Sequence, residues 1–146
     1  MNELRTILLA EDNPRDVELT LEAISNFKVP HTVAVVSDGV EAIEYLRCVG
    51  KFKDREKIPP AVILLDIKMP RMDGIEVLQT IKSDPSFKVL PVVMLTSSRE
   101  KADVRRSYDL GANAYVVKPV EFASFIDAIK QVGAFWAILN ENPGMS

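Results

Sequence analysis

The sequence predicts an α/β fold in which five parallel strands alternate with five helices. Short apolar runs of strand length alternate along the chain with segments whose apolar residues recur at helical spacing. The run at residues 61–66 is aliphatic without polar alternation, which is typical of a strand covered on both faces. Each connection is long enough for a right-handed crossover, and we expect the strand order 2-1-3-4-5.

Two strand–helix pairs are predicted in the first third of the chain. Residues 6–10 form the first apolar run, and the helix after it is expected to begin at Pro14 with Asn13 as its N-cap. The β-branched stretch 31–36 predicts a second strand, at an edge of the sheet. Residues 40–49 then predict a second helix.

The middle of the chain begins with its longest irregular connection. Residues 50–60 are rich in Lys and Asp, end in two prolines and predict an exposed surface loop. The third strand, 61–66, comes next and ends on an aspartate. A turn with proline and glycine follows, and helical spacing predicts a third helix at residues 75–82.

The last two strand–helix pairs complete the pattern. Residues 91–96 predict a fourth strand, and residues 100–110 predict a fourth helix with Gly111 as its C′ residue. Residues 114–118 predict the fifth strand, and a final helix is expected from about 120 to 139. Together the elements predict a doubly wound, flavodoxin-like (βα)5 fold with an extended C-terminal helix.

Composition argues against several classes of protein. With 18 Lys and Arg against 21 Asp and Glu, the net charge of −3 predicts no electrostatic binding to nucleic acid or to a membrane. Without a signal peptide or an apolar run of about 18 residues, the 146-residue chain is expected to be a single cytoplasmic domain. For the single cysteine, Cys48, a packed core position is favoured over a reactive thiol. The only histidine, His31, is expected to be solvent-exposed.

Four of the five predicted strands end in polar or charged side chains. These strands are contiguous in the expected order, so their carboxyl ends meet at one edge of the sheet, where ligands bind in such folds. Asp66 taken alone fits a nucleophile, a metal ligand or a cap for the loop behind it. The positions are Glu11 with Asp12, Asp66, Thr96 and Lys118.

Together these residues predict a phosphoryl-transfer site. Three carboxylates brought together without a cation would repel, and Mg²⁺ is a hard ion that prefers oxygen ligands. Lys118 adds an ammonium group and Thr96 adds a hydroxyl donor at the same edge. A metal ion and an ammonium group would neutralise charge on a transferring phosphoryl group while Asp66 attacks phosphorus.

The same residues resemble the receiver domain of two-component response regulators over about residues 5–131. The resemblance is carried by Glu11 with Asp12, Asp66, the Met-Pro-Arg-Met-Asp-Gly stretch at 69–74, Thr96 with Ser97, and Lys118 with Pro119. It implies that residues 1–131 form the receiver domain and that Asp66 is the phosphoacceptor. Residues 132–146 are expected to extend the last helix and are too few for a separate effector domain.

The resemblance also implies roles for the other site residues. Asp12 is a direct Mg²⁺ ligand, Glu11 acts through water or as a second acidic ligand, and Lys68 offers its backbone carbonyl oxygen. Thr96 and Lys118 contact the phosphoryl group. Glu11 departs mildly from the family's usual Asp-Asp pair, which changes its reach but not its charge.

A conformational switch is implied as well. By the resemblance, Tyr115 turns inward as Thr96 moves toward the phosphoryl group, although ordinary strand packing also explains a tyrosine at this position. The Lys118–Pro119 peptide bond is expected to be cis, as is usual in the family.

The implied mechanism is signalling rather than enzymatic turnover. A histidine kinase donates the phosphoryl group to Asp66, and no other small-molecule substrate or direct nucleic-acid contact is expected. The response is expected on the face made by the fourth helix, fifth strand and fifth helix. Phe122, Phe135 and Trp136 are candidate interface residues for a homodimer or a partner, and the open alternative is a tail folded onto its own domain.

Two features indicate a subfamily. The first is the stretch Glu-Asp-Asn-Pro at 11–14 together with Asp-Val-Glu-Leu at 16–19. The second is the Phe-Trp pair at 135–136. Together they are similar to the stand-alone receivers that pair with phytochrome-type sensor kinases, often as homodimers.

Three rival functions fit parts of the pattern. A haloacid-dehalogenase-type phosphatase also uses an aspartate after a strand, but it needs a second acid two residues later, where this chain has Lys68. An FMN carrier needs a phosphate-binding loop after the first strand, where Glu11 and Asp12 would repel phosphate. A receiver-like module that is never phosphorylated is disfavoured by the complete set of site residues.

Overall fold

The computed structural model describes residues 5–26, 31–97 and 101–131, and the predicted fold class is confirmed. Five parallel strands form one sheet in the order β2-β1-β3-β4-β5. The edge position expected for the second strand is therefore correct. The strands are β1 Arg5–Ala10, β2 His31–Val36, β3 Val62–Asp66, β4 Val92–Thr96 and β5 Ala114–Val117.

Five helices follow the strands in strict alternation. The helix ends predicted from the sequence lie within two residues of the observed ends where the structure describes them, and the start of α1 at Pro14 is as predicted. Asn13 Oδ1 accepts hydrogen bonds from the backbone N–H of Arg15 at 2.9 Å and of Asp16 at 3.2 Å. Gly111 has a φ of 104°, in the left-handed region that suits the residue after a helix. The helices are α1 Pro14–Ser25, α2 Gly39–Arg47, α3 Gly74–Ser83, α4 Lys101–Asp109 and α5 Phe122–Gln131.

The last helix begins at Phe122, two residues later than predicted. Val120 is buried in the core instead of opening the helix, and the first hydrogen bond of α5 runs from Phe125 N–H to the carbonyl oxygen of Glu121 at 2.9 Å. The expected continuation to residue 139 lies outside the described residues.

Helices cover both faces of the sheet, which explains the unbroken apolar runs of its central strands. Ile7 and Leu9 of β1 pack in the layer that includes α1 and α5, whereas Leu8 and Ala10 pack in the layer that includes α2 and α3. Every residue of β3 and β4 is buried. Full burial of one such aliphatic side chain contributes about 1.5–3 kcal/mol. The sheet therefore presents its functional groups at the strand ends rather than on its faces.

The prediction of an irregular, exposed loop at residues 50–60 is partly wrong. The segment opens with a 3-10 turn, Gly50–Phe52, and Arg55 then fastens it to α2. The Arg55 guanidinium donates to the carbonyl oxygen of Tyr45 through Nε at 3.2 Å and Nη2 at 2.7 Å, and it lies 3.9 Å from the centre of the Tyr45 ring. Arg55 Nη1 also donates to the carbonyl oxygen of Ile58 at 3.0 Å. These contacts order a segment whose composition alone predicts a loop.

Two single residues can also be compared with their predictions. Cys48 is buried, as expected for a packed position, and its thiol lies 3.9 Å from the carbonyl oxygen of Glu56. His31 is half-buried rather than exposed, and its backbone lies opposite Arg5 at the start of β1. Among the described helices, none is both long and apolar enough to cross a membrane.

Candidate functional site

The strand order brings the predicted site residues to one edge of the sheet. Asp66 is the last residue of β3 and Thr96 the last residue of β4, and these two strands pair in parallel with Asp66 opposite Leu95. Glu11 directly follows β1, and Lys118 directly follows β5. Each of these residues therefore follows or ends a strand at the carboxyl edge of the same sheet.

Three carboxylates meet at this edge. Oxygen atoms of Glu11, Asp12 and Asp66 all lie within 4.8 Å of one another. Glu11 and Asp66 are almost fully buried, at 1% and 4% exposure, whereas Asp12 is exposed. Buried carboxylates need a cation, and the exposed Asp12 leaves one side open to water, which hydrated divalent ions retain as ligands. The donor set therefore fits a divalent metal ion held by oxygen.

Lys118 supplies the positive charge of the cluster. Its side chain is only 10% exposed, and its Nζ forms an ion pair with Glu11 and lies 3.3 Å from Asp66 Oδ1. It also donates a hydrogen bond to Asp16 Oδ2 at 3.0 Å. Asp16 belongs to the subfamily stretch noted in the sequence, but it was given no role there. Its position four residues after Asp12, in the first turn of α1, is the signal that could have pointed to this edge.

The electrostatics of Asp66 reflect this crowding. Burial raises the pKa of the Asp66 carboxyl from its ordinary value of 3.8 to about 7, the charge of Glu11 adds to the increase, and Lys118 opposes it. For the Lys118 ammonium, burial lowers the pKa, but the hydrogen bonds to Glu11 and Asp16 and the charge of Asp66 outweigh that effect and raise it. One ammonium group is thus insufficient for the negative charge gathered around it.

Two further groups lie beside Asp66 and Lys118. Thr96 is buried, and its carbonyl oxygen accepts a hydrogen bond from Lys118 N–H at 2.8 Å, which ties the ends of β4 and β5 together. The Lys118–Pro119 peptide bond is cis. Tyr115 lies opposite Met94 and packs, half-buried, against the core layer that includes α2 and α3.

The loop after Asp66 is held close to the strand that carries it. Gly74 N–H donates to the carbonyl oxygen of Ile67 at 2.8 Å, and a Cβ on Gly74 would overlap the carbonyl oxygen of Asp66. A glycine is therefore required at this close approach. Lys68 lies in the same loop with an exposed side chain.

Sequence reasoning missed a second contact that fastens this loop. Arg71 adopts a φ of 63°, in the left-handed region, and its Nε donates to Asp38 Oδ2 at 2.8 Å. Asp38 also caps α2 by accepting a hydrogen bond from Glu41 N–H at 2.8 Å. The loop is thereby joined to the N-terminus of α2. Only three-dimensional proximity reveals a pair 33 residues apart.

The candidate interface residues are only partly described. Phe122, the first residue of α5, is 39% exposed. Phe135 and Trp136 lie outside the described residues.

Comparison with known proteins identifies the family. Residues 7–130 match the response regulator receiver domain. The response regulator Rcp1 of Synechocystis is 34% identical over 135 residues, which cover 92% of this chain and 90% of Rcp1. A structure of the manganese-bound form of Rcp1 superimposes with a TM-score of 0.75, at 34% identity, and covers 90% of this chain and 94% of that one.

Two solved structures are also similar over nearly the whole chain. The bacteriophytochrome response regulator AtBRR is 56% identical, with a TM-score of 0.85 and coverage of 95% of this chain and 99% of that one. The phosphorylated cyanobacterial phytochrome response regulator RcpA is 40% identical, with a TM-score of 0.77 and coverage of 94% and 96%. The predicted resemblance to phytochrome-associated receivers is confirmed by these relatives.

Receiver domains accept a phosphoryl group on an aspartate and use a divalent cation to do so. The acidic cluster described above is of the kind that such a site requires. The chain therefore belongs to the family of response regulator receiver domains.

Proposed function

We propose that this protein receives a phosphoryl group on Asp66 from a histidine kinase, with Mg²⁺ as cofactor. The observation that carries the proposal is the position of Asp66, buried at the end of the central strand and 3.3 Å from the Lys118 ammonium, within a cluster of three carboxylates. The reaction consumes the phosphoryl donor once per signalling event, so the protein is a phosphoacceptor rather than an enzyme with a metabolic substrate.

The chemistry follows from the groups at this edge. A carboxylate oxygen of Asp66 forms a bond to phosphorus, and the bond from phosphorus to the donor's imidazole nitrogen breaks. The nitrogen keeps that electron pair and takes up a proton. A divalent ion, when bound by Glu11, Asp12, Asp66 and the Lys68 carbonyl, supplies positive charge that offsets the phosphoryl oxygens.

The chain's own cationic and hydroxyl groups stabilise the product. Lys118 pairs with a phosphoryl oxygen in place of its present contact with Asp66, and the Thr96 hydroxyl donates to another. The phosphoryl group adds a charge of about −1.5 to −2. Tyr115 responds to the movement of Thr96, and the signal reaches the face made by α4, β5 and α5 as a shift in population.

The finer points of the proposal concern partners and location. The kinase is of the phytochrome type, which the similarity to phytochrome response regulators supports. The active form is a homodimer in the cytoplasm, and the 39% exposure of Phe122 supports a contact on this face. Phe135 and Trp136 belong to the same proposed surface.

The first experiment is phosphorylation by a small donor. Wild-type protein incubated with acetyl phosphate and Mg²⁺ should gain the mass of one phosphoryl group, and EDTA should prevent the gain. Asp66→Asn should gain none, because an amide cannot form the acyl phosphate. Asp109→Asn, which changes an exposed carboxylate on α4, is the matched control and should behave as wild type. Phosphorylation of Asp66→Asn at the wild-type level would overturn the proposal.

The dimer is tested by mass in solution. Sedimentation equilibrium with and without beryllofluoride and Mg²⁺ should show the wild type shifting toward a dimer. Phe122→Ser, Phe135→Ala and Trp136→Ala should each weaken this shift. A monomer in every condition would remove dimerisation from the proposal and leave the phosphoacceptor role standing.

A further inference from the structure

We propose that Asp16 is a positioning residue for Lys118. Its carboxylate holds the Lys118 ammonium group in place when Glu11 and Asp66 act as metal ligands. This inference rests on the proposed function, because it assumes that the carboxylate cluster holds a divalent ion. It assigns a role to a side chain other than those of Glu11, Asp12, Asp66, Thr96 and Lys118.

The carboxylates that contact Lys118 differ in whether they also belong to the candidate metal site. Lys118 Nζ contacts three carboxylates, those of Glu11, Asp16 and Asp66. Two of them, Glu11 and Asp66, also belong to the group whose oxygens lie within 4.8 Å of one another and fit a metal ion. Within the described ranges, Asp16 is the partner of Lys118 that does not belong to that group.

Asp16 is held in place at the start of α1, directly after the segment that carries Glu11 and Asp12. It is in the first turn of α1, and its N–H donates to Asn13 Oδ1 at 3.2 Å. Asn13 N–H in turn donates to Glu11 Oε2 at 3.2 Å. An acid in this turn is also favoured by the positive end of the helix dipole. The backbone of Asp16 is therefore held beside the cluster, and its carboxylate contacts Lys118 without being one of the cluster's carboxylates.

The consequence for Lys118 follows from burial. A side chain that is 10% exposed loses most of its hydration, so an ammonium group there is costly unless anions surround it. When Glu11 and Asp66 share their oxygens with a divalent ion, both contacts with Lys118 are weakened. The contact with Asp16, at 3.0 Å, remains. Without it, Lys118 would compete more strongly with the metal for Glu11 and Asp66.

The expected effect is a loss of metal affinity that depends on Lys118. Asp16→Asn should raise the Mg²⁺ dissociation constant about tenfold, which is near the lower limit for the loss of one charge-assisted hydrogen bond. In a Lys118→Met background the same substitution should change the constant by less than about twofold, because there is no ammonium group left to hold. Glu18→Gln, an exposed carboxylate on the same helix, should have little effect in either background.

The experiment is a double-mutant cycle by isothermal titration of Mg²⁺ into the full chain. The four proteins are wild type, Asp16→Asn, Lys118→Met and the double variant, with Glu18→Gln as the control for lost charge. A loss of affinity that persists in the Lys118→Met background would overturn the proposal, since Asp16 would then act on the cation directly. Unchanged affinity in Asp16→Asn would also overturn it.

A metal-free measurement gives an independent readout. In EDTA, Asp16→Asn should lower the urea midpoint of unfolding when Lys118 is present, and lower it less when Lys118 is methionine. Equal shifts of the urea midpoint in the two backgrounds would show that the contact between Asp16 and Lys118 does not contribute to stability, and would overturn the proposal. Failure of Asp66 to accept a phosphoryl group would overturn the proposed function but would leave both cycles intact, so the two failures are distinguishable.

Discussion

Two lysine–carboxylate contacts in this protein have opposite electrostatic outcomes. Lys51, in the 3-10 turn, pairs with Glu41 of α2, and its hydrogen bond, followed by that of the Ser37 backbone, lowers the pKa of Glu41 from 4.5 to about 2. Lys118 lies 3.3 Å from Asp66 at the sheet edge, yet burial and Glu11 raise the pKa of Asp66 to about 7. The lysine stabilises the charged carboxylate in both places, but at the sheet edge its effect on the carboxyl pKa is outweighed by burial and by Glu11.

The difference lies in solvent access and in the number of anions per cation. The Lys51 side chain is 60% exposed, and Glu41 also accepts hydrogen bonds from Ser37 N–H at 2.8 Å and Ser37 Oγ at 2.9 Å. Lys118 is buried and shared among three carboxylates. The hydrogen bonds around Glu41 balance its negative charge. The cluster around Lys118 retains an excess of negative charge that a metal ion can offset.

The largest expected effect is on the stability of the metal-free protein after Asp66→Asn. Because folding raises the pKa of Asp66 from 3.8 to about 7, the folded chain binds this proton more tightly than the unfolded chain does. Stability attributable to Asp66 is therefore lost as the pH rises from about 4 to about 7. Each tenfold change in acidity corresponds to about 1.4 kcal/mol, so the substitution should raise the free energy of unfolding by several kcal/mol above pH 7.

Urea unfolding in EDTA at a series of pH values measures this effect as the difference between the variant and the wild type. The difference should be small near pH 4 and should grow toward neutrality. A difference that does not change with pH would show that Asp66 titrates normally and that the contrast with Glu41 is mistaken.

The second largest effect is stabilisation by Mg²⁺. At a concentration a hundred times the dissociation constant, a ligand that binds only the folded state adds about 2.7 kcal/mol. The wild type should gain this amount and Asp66→Asn much less, because it lacks one carboxylate of the cluster. Glu41→Gln should gain as much as the wild type. Equal gains in all three proteins would place the metal elsewhere.

Glu41→Gln should have a smaller effect with the opposite pH dependence. The folded-state pKa of Glu41 is lowered, so its stabilising contribution is present above pH 4.5 and is lost as the pH falls toward 2. The variant should be less stable than the wild type by about 1 kcal/mol at neutral pH, since its lysine partner is largely exposed. Acid unfolding followed by circular dichroism should show the two proteins converging. A persistent gap at low pH would contradict the assignment.

The smallest effect concerns the ion pair between Arg71 and Asp38, which is about as exposed as the pair between Lys51 and Glu41. Arg71→Ala should cost about 0.5–1 kcal/mol, the value of a partly exposed pair. Arg71→Gly should cost less, because glycine adopts the observed φ of 63° without strain. Thermal unfolding distinguishes the two variants. A larger loss for glycine than for alanine would show that backbone strain at this position is unimportant.

Much of this fold was predictable because its signals are local. An aliphatic run without alternation predicted β3, an apolar run predicted β4, and Asn13 with Pro14 predicted the start of α1. The start of α5 was missed by two residues, because Val120 reads equally well as a helical residue and as a core residue that precedes the helix. The fastening of residues 50–60 by Arg55 was missed because its partner, the carbonyl oxygen of Tyr45, carries no sequence signal.

The sequence by itself determined the fold class and which residue types stand at the strand ends. The expected strand order 2-1-3-4-5, which the structure has, brings Glu11, Asp66 and Lys118 to one edge. Only the tertiary structure decided which carboxylates contact the Lys118 ammonium group. The contact between Asp16 and Lys118 joins positions 102 residues apart. The raised pKa of Asp66 depends on burial, which is a property of the packed molecule and not of any local stretch of sequence.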